Sequence, residues 1–190
     1  MSVGLLLIDI QNDYFPGGKM ELQGSEQAGA VAGRLLAFFR DRRLPIVHIQ
    51  HLSIRPGATF FIPGTPGADI HSAVRPPEGE MVIQKHFPNA FRETALLSQL
   101  QGLGIRKLVI AGMMTHMCVD ATARAATDHG FECRIVQDGC ATRDLKFNDR
   151  VIAAADVHAA FLAALDGTSG RVVTAEAAMA ELEKEGQASR

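Results

Sequence analysis

Short continuous apolar runs alternate with amphipathic stretches along this chain. Residues 3–8 are apolar without interruption, as expected for a central strand covered on both faces. Shorter stretches with apolar and β-branched residues at 46–50, 81–84, 107–111, 132–136 and 171–173 predict five more strands. Between them, helical spacing takes over. Ala28, Val31, Leu35 and Phe38 share one face of a helix for which Ser25 is the N-cap and which ends at 41–43, before Pro45. Residues 89–100, 118–128 and 149–165 read as further helices, and Thr174 caps a last one that frays at Glu185-Gly186. Gly112 marks the end of the fourth strand, and the pattern turns helical from Cys118. Strand and helix alternate throughout, which predicts one domain over 1–190. Its architecture is a three-layer α/β/α fold, with a doubly wound, mainly parallel six-stranded sheet.

The alternation is broken once, at 55–77, where Pro56-Gly57, Pro63-Gly64, Pro66-Gly67 and Pro76-Pro77 punctuate a long loop. A loop of this length inside a compact domain reads as a lid or an interface arm. Phe60 and Phe61 within it need cover, from a pocket, a neighbouring subunit or the domain's own core.

Composition narrows the function classes. With 190 residues, 47% hydrophobic and 21% charged, the chain is long enough for one sizeable core. A net charge of −2 offers no electrostatic case for nucleic acid or an anionic membrane. Cys118, Cys133 and Cys140 form an odd, widely spaced set without zinc-finger or Cys-x-x-Cys spacing, which suits a reducing compartment. Residues 3–8 meet Asp9 at once and so read as a strand rather than a signal peptide, and the expected location is cytoplasmic.

In doubly wound sheets ligands collect beyond the carboxyl ends of the strands. Asp9, Lys85 and the turn leading to Cys118 all fall there, which brings a carboxylate, an ammonium and a thiol to one edge. Such a set suits acyl transfer to water through a thioester. The sulfur attacks, Asp9 carries the proton and Lys85 steadies negative charge. Unpaired N–H groups at the start of a helix favour a thiolate. Taken singly, each residue has an ordinary reading: a buried structural cysteine, a turn-forming aspartate, a solvated lysine.

Three blocks in order resemble the isochorismatase-like cysteine hydrolases. They are Leu5-Leu6-Leu7-Ile8-Asp9-Ile10-Gln11-Asn12-Asp13-Tyr14, then Lys85 after a strand, then Gly112-Met113-Met114-Thr115-His116-Met117-Cys118-Val119 with Ala121-Thr122-Ala123-Arg124. The resemblance covers residues 3–165 and implies a triad of Asp9, Lys85 and Cys118. It also implies a cis peptide before Met114, an oxyanion hole from the N–H groups of Met114 and Cys118, and a substrate pocket at Tyr14, Phe91, Met113 and His116. One departure concerns metal: nicotinamidases of this superfamily carry an Asp-x-His pair where this chain has His51-Leu52-Ser53. Only His71 matches a later ligand position, so His48, His51 and His71 read as ordinary polar histidines, with no metal or other cofactor expected. Isochorismatases proper lack the cysteine. The expectation is a metal-independent hydrolase of a small amide, lactam or ureido compound, forming a homo-oligomer (dimer or tetramer). The alternatives are a non-catalytic oligomeric member, or an isochorismatase-type hydrolase of another small metabolite.

Overall fold

A computed structural model describes residues 2–188. Six strands form one sheet: β1 (Ser2–Ile8), β2 (Ile46–His51), β3 (Met81–Lys85), β4 (Ile105–Met113), β5 (Glu132–Ala141) and, last in the chain, β8 (Arg171–Val173). Their order is β3-β2-β1-β4-β5-β8 and every pairing is parallel. Helices α1 (Ser25–Asp41) and α5 (Ala175–Ala188) cover one face. The other face carries α2 (Leu96–Gly102), α3 (Asp120–Asp128) and α4 (Ala154–Leu165). The uninterrupted apolar run of β1 follows from this arrangement. Leu5 and Leu7 enter the core under α1, while Leu6 and Ile8 enter the opposite one. Val109 and Ala111 of β4 separate from Leu108 and Ile110 in the same way. No helix among the described residues is long and apolar enough to cross a membrane.

Chain order reverses direction between β1 and β4, which lie side by side in the middle of the sheet. That switch opens a crevice at their carboxyl ends. The two strands approach closely at Gly112, whose φ of 148° and lack of a side chain are both needed there. A Cβ at this position would stand 2.1 Å from the Ile8 carbonyl oxygen. Gly112 therefore does not end β4. The strand continues through it to Met113, and the Met113–Met114 peptide is cis.

Several other boundaries move for local reasons. Ser25 is the first helical residue and not the cap; Gly24, at φ 74°, occupies the cap position. The helix expected over 89–100 forms only from Leu96. Before it, Asn89 Oδ1 accepts the Phe91 N–H, and Thr94 Oγ1 donates to the Ala90 carbonyl and accepts the Leu96 N–H. Glu93 sits at φ 56°, so this stretch is a series of side-chain-closed turns. Residues 149–153 are not helical either. A hairpin of β6 (Leu145–Phe147) and β7 (Arg150–Ile152) turns at Asn148, φ 53°, ahead of α4. Thr174 does cap α5, accepting the Ala177 N–H at 3.1 Å, and the helix runs past Gly186 to Ala188.

The lid aromatics turn inward. Phe61 is buried and Phe60 half-buried, with Tyr14 against both rings at 4.6 and 5.9 Å between centroids. The large exposed apolar side chains include Phe147 and Val151 of the β6–β7 hairpin. Replacing Gly112 by Ala should lower stability by about 2 kcal/mol or more, since neither the φ nor the contact with β1 can relax cheaply. Urea unfolding read by circular dichroism measures this as a fall in midpoint.

Candidate active site

Asp9 follows β1 directly, at φ 51°, and is wholly buried. Its N–H donates to the Ile49 carbonyl at 3.0 Å, which ties the turn to β2. Lys85 is the last residue of β3 and reaches inward past its β2 neighbour His51. Cys118 lies on a π-helical turn, Thr115–Val119, inserted between β4 and α3. Such turns bulge one residue out of the regular ladder and recur at functional sites. The sequence pattern predicted an α-helix beginning at Cys118, and the α-helix begins two residues later.

The Lys85 ammonium joins these parts. Nζ stands 2.7 Å from Asp9 Oδ2, 3.2 Å from Cys118 Sγ and 2.9 Å from His51 Nδ1, and it donates to the Phe87 carbonyl at 3.0 Å. Asp9, His51 and Cys118 also bring potential metal-ligand atoms within 4.8 Å of one another. The ammonium contacts all three, so the centre of that group already holds a positive charge. No directional N–H or O–H donor reaches the Asp9 carboxylate among the described residues, and the ion pair is its main partner.

Burial and neighbours set the protonation states. Burial works against the Lys85 ammonium, but the Asp9 carboxylate and the Cys118 sulfur more than offset it, leaving its pKa above the usual lysine value. Burial, then the Lys85 charge, push His51 down to about 4, so its ring is neutral and can accept from Lys85. For Cys118 the influences oppose one another. Burial first and the Asp9 carboxylate second raise the thiol above its ordinary value and favour the protonated form, while Lys85 pulls towards the thiolate.

Above the sulfur lies a cavity of about 570 Å³ lined by Tyr14, Met114, Met117 and Cys118 from the core side. The lid contributes Ser53, Ile54, Arg55, Phe60 and Phe61, and the loop after β3 adds His86, Phe87 and Pro88. Tyr14 is almost fully buried, and its pKa is raised by burial and then by Cys118 and Asp9. Three residues assigned to the pocket from sequence lie elsewhere. Phe91 packs against His129 and Phe131, in the turn that replaced the expected helix. Met113 is fully buried in the core under α1, and His116 pairs with Thr142 Oγ1 at 2.5 Å and meets the Phe161 ring edge-on. The histidines do not gather either. His48 binds Glu80 at 2.6 Å and His71 stacks on Phe15 at 3.5 Å, while His51 faces Lys85.

Two structural contributors went unnoticed in the sequence. The Gln11 side chain donates to the His51 and Ala68 carbonyls and accepts the His51 N–H at 2.7 Å, fastening the lid to β2. Asp13 accepts the Phe61 N–H at 2.6 Å and the Lys19 N–H at 3.1 Å, holding Phe61 at φ 55°. Gly67 packs so closely on this carboxylate that a Cβ would lie 2.2 Å from Asp13 Oδ1. The available signal was a run of polar residues, Gln11-Asn12-Asp13, two residues beyond the Asp9 turn and the apolar strand before it.

Fold and site together define a doubly wound α/β domain with Asp9, Lys85 and Cys118 gathered at the switch crevice. The chain belongs to the isochorismatase family: residues 3–177 match the Isochorismatase domain. It is 50% identical over 177 residues to the isochorismatase family protein YddQ of Bacillus subtilis, itself uncharacterised, covering 93% of this chain and 98% of that one. Maleamate amidohydrolase of Pseudomonas putida is 32% identical over 192 residues, covering 94% of this chain and 85% of the relative. A crystal structure from Oleispira antarctica, assigned to the isochorismatase hydrolases, superposes with a TM-score of 0.90 at 48% identity, covering 94% of this chain and 96% of that one.

The charge balance at the sulfur predicts a divergence in Asp9→Asn. Removing the carboxylate takes away one cause that raises the Cys118 pKa and leaves Lys85 beside the thiol, so the thiolate forms at lower pH. The pH profile of iodoacetamide alkylation should shift to lower pH in this variant, with Cys118 identified as the site by mass spectrometry. A profile that stays put or moves up would contradict the assignment.

Proposed function

We propose that the protein is a cysteine-dependent hydrolase of a C–N bond in a small molecule, an amide, lactam or ureido group. The observation that carries this reading is the contact of one buried ammonium with both a carboxylate and the cysteine sulfur, beneath an open cavity. Family membership adds support. Besides the maleamate amidohydrolase, streptothricin hydrolase of Streptomyces noursei is 33% identical over 141 residues, covering 74% of this chain and 50% of that one.

In the first half-reaction Asp9 takes the thiol proton as the sulfur bonds to the substrate carbonyl carbon. The carbonyl π pair moves onto oxygen, which the N–H groups of Met114 and Cys118 receive. Collapse re-forms the carbonyl and breaks the C–N bond, and Asp9 returns its proton to the departing nitrogen. The product of this half is an amine and a thioester on Cys118. Water then attacks the thioester and gives a proton to Asp9. The C–S bond breaks, the sulfur recovers that proton, and a carboxylic acid leaves. Lys85 stays protonated throughout, holding Asp9 and the sulfur in line and compensating charge as it passes between them. A resting thiol suits this scheme, because the base already sits beside the proton it must remove.

A panel of small primary amides, lactams and ureido compounds, assayed for released amine or ammonia, tests the proposal. Cys118→Ala and Cys118→Ser should each lose at least about a thousandfold in turnover while keeping the wild-type circular dichroism spectrum. Undiminished hydrolysis by Cys118→Ala would overturn the mechanism. The competing reading is a non-catalytic oligomeric binding protein that keeps the cavity. Absence of both hydrolysis and an acyl adduct on Cys118 across the panel would favour it. Self-association is part of the proposal too, and light scattering at micromolar concentration should give more than a monomer mass.

A further inference from the structure

We infer that His51 determines specificity: its Nε2–H donates to an uncharged acceptor, an ether or ketone oxygen, that the substrate carries close to its scissile amide. The amide part of this statement rests on the cysteine-hydrolase reading; the hydrogen bond rests on the tautomer that the fold imposes on the ring.

His51 closes β2, beside Lys85 at the end of β3. Its Nδ1 stands 2.9 Å from Lys85 Nζ, closer than the Phe87 carbonyl at 3.0 Å or Cys118 Sγ at 3.2 Å. An ammonium has hydrogens to give and no lone pair, so Nδ1 has to accept. Asp9 Oδ2, at 4.0 Å, is too far for Nδ1 to donate to it instead. Burial and then the Lys85 charge hold the ring neutral, with a pKa of about 4; His86 and Arg55 act in the same direction and Asp9 against them. The ring's one remaining proton is therefore on Nε2. With the lone pair of Nδ1 committed to Lys85, the ring donates and cannot serve as a base.

That donor faces the ligand. Nε2 has no hydrogen-bond partner among the described residues and, unlike His48 Nδ1, is not sealed off within the protein. The ring lines the cavity. Its orientation is fixed from behind: the wholly buried Gln11 accepts the His51 N–H at 2.7 Å and donates to its carbonyl at 2.9 Å. Phe61 covers one side of the ring, 5.9 Å away between centroids. A ring nitrogen of His51 and the Cys118 sulfur lie within 4.8 Å, so an acceptor on Nε2 belongs to a part of the ligand only a few bonds from the carbon under attack. A ligand with a methylene there would strip water from the N–H and return nothing, which is how a placed donor discriminates.

Binding to the Cys118→Ala protein separates this inference from the chemistry. Methoxyacetamide is titrated beside butyramide, and acetoacetamide beside isovaleramide, pairs that keep the size and exchange an acceptor for hydrocarbon. The acceptor-bearing amides should bind at least about fivefold more tightly, although the apolar wall by itself would favour the others. Adding His51→Asn should remove the preference, because the shorter side chain still offers Lys85 an oxygen but carries no donor into the cavity. Histidine-selective nitrogen NMR, with His51 assigned by that variant, should show a neutral ring protonated on Nε2 from about pH 6 to 8. Methoxyacetamide should shift this Nε2 resonance and butyramide should leave it in place. A proton on Nδ1, an unmoved Nε2 resonance, equal affinity within each pair, no binding of either acceptor-bearing amide, or a preference that survives His51→Asn would each overturn the inference. Hydrolysis of the same compounds by the wild-type protein scores the cysteine mechanism independently.

Discussion

The buried Lys85 ammonium is the interaction on which the site depends. It comes from the outermost strand on its side of the sheet, yet two of its partners, Asp9 and Cys118, follow the two central strands. Its contacts with Asp9, Cys118, His51 and the Phe87 carbonyl fix the relative positions of three strand ends and the loop beyond β3. A buried carboxylate without compensation is costly, and breaking such a pair typically destabilises a protein by about 3–5 kcal/mol. The same charge therefore serves folding and, in the proposed chemistry, reactivity. It also explains why the histidines need not gather around a cation: the point where Asp9, His51 and Cys118 converge already contains one.

The state of the sulfur follows from this balance. A helix start alone would favour ionisation, but Cys118 sits buried within a π turn, where burial and the Asp9 carboxylate raise its pKa while Lys85 lowers it. In the proposed chemistry, negative charge then moves from carboxylate to sulfur only as a substrate carbonyl arrives.

The fold was readable from sequence wherever periodicity was strong. Short runs such as 3–8 and 108–111 read as strands buried on both faces, and the helices between them favour parallel order. The strand-end positions of Asp9 and Lys85 follow from that order, as does the turn leading to Cys118. What failed was decided by side-chain-to-backbone contacts that no period records. The Asn89 and Thr94 closures replaced a helix and carried Phe91 away from the cavity. Asn148 made a hairpin that takes up the first residues of the stretch read as a helix. Met113 and His116 neighbour the reactive turn in sequence, but the alternation of β4 and the pairing with Thr142 direct them elsewhere. The lid, lacking any repeat pattern, gave up its residues only to three dimensions.

The division of labour between strands and loops has an evolutionary consequence. The reacting side chains hang from the sheet ends, whereas much of the cavity wall comes from the segment around 53–61 and from Phe87 and Pro88. Gln11 and Asp13 bolt the lid at Ala68 and Phe61, so the stretch upstream of Phe61 can vary while its anchor stays put. Exchanging a handful of residues there would redirect which molecules are accepted without retuning the bond-breaking apparatus. A scaffold wired in this manner can diversify by changing its doorway alone.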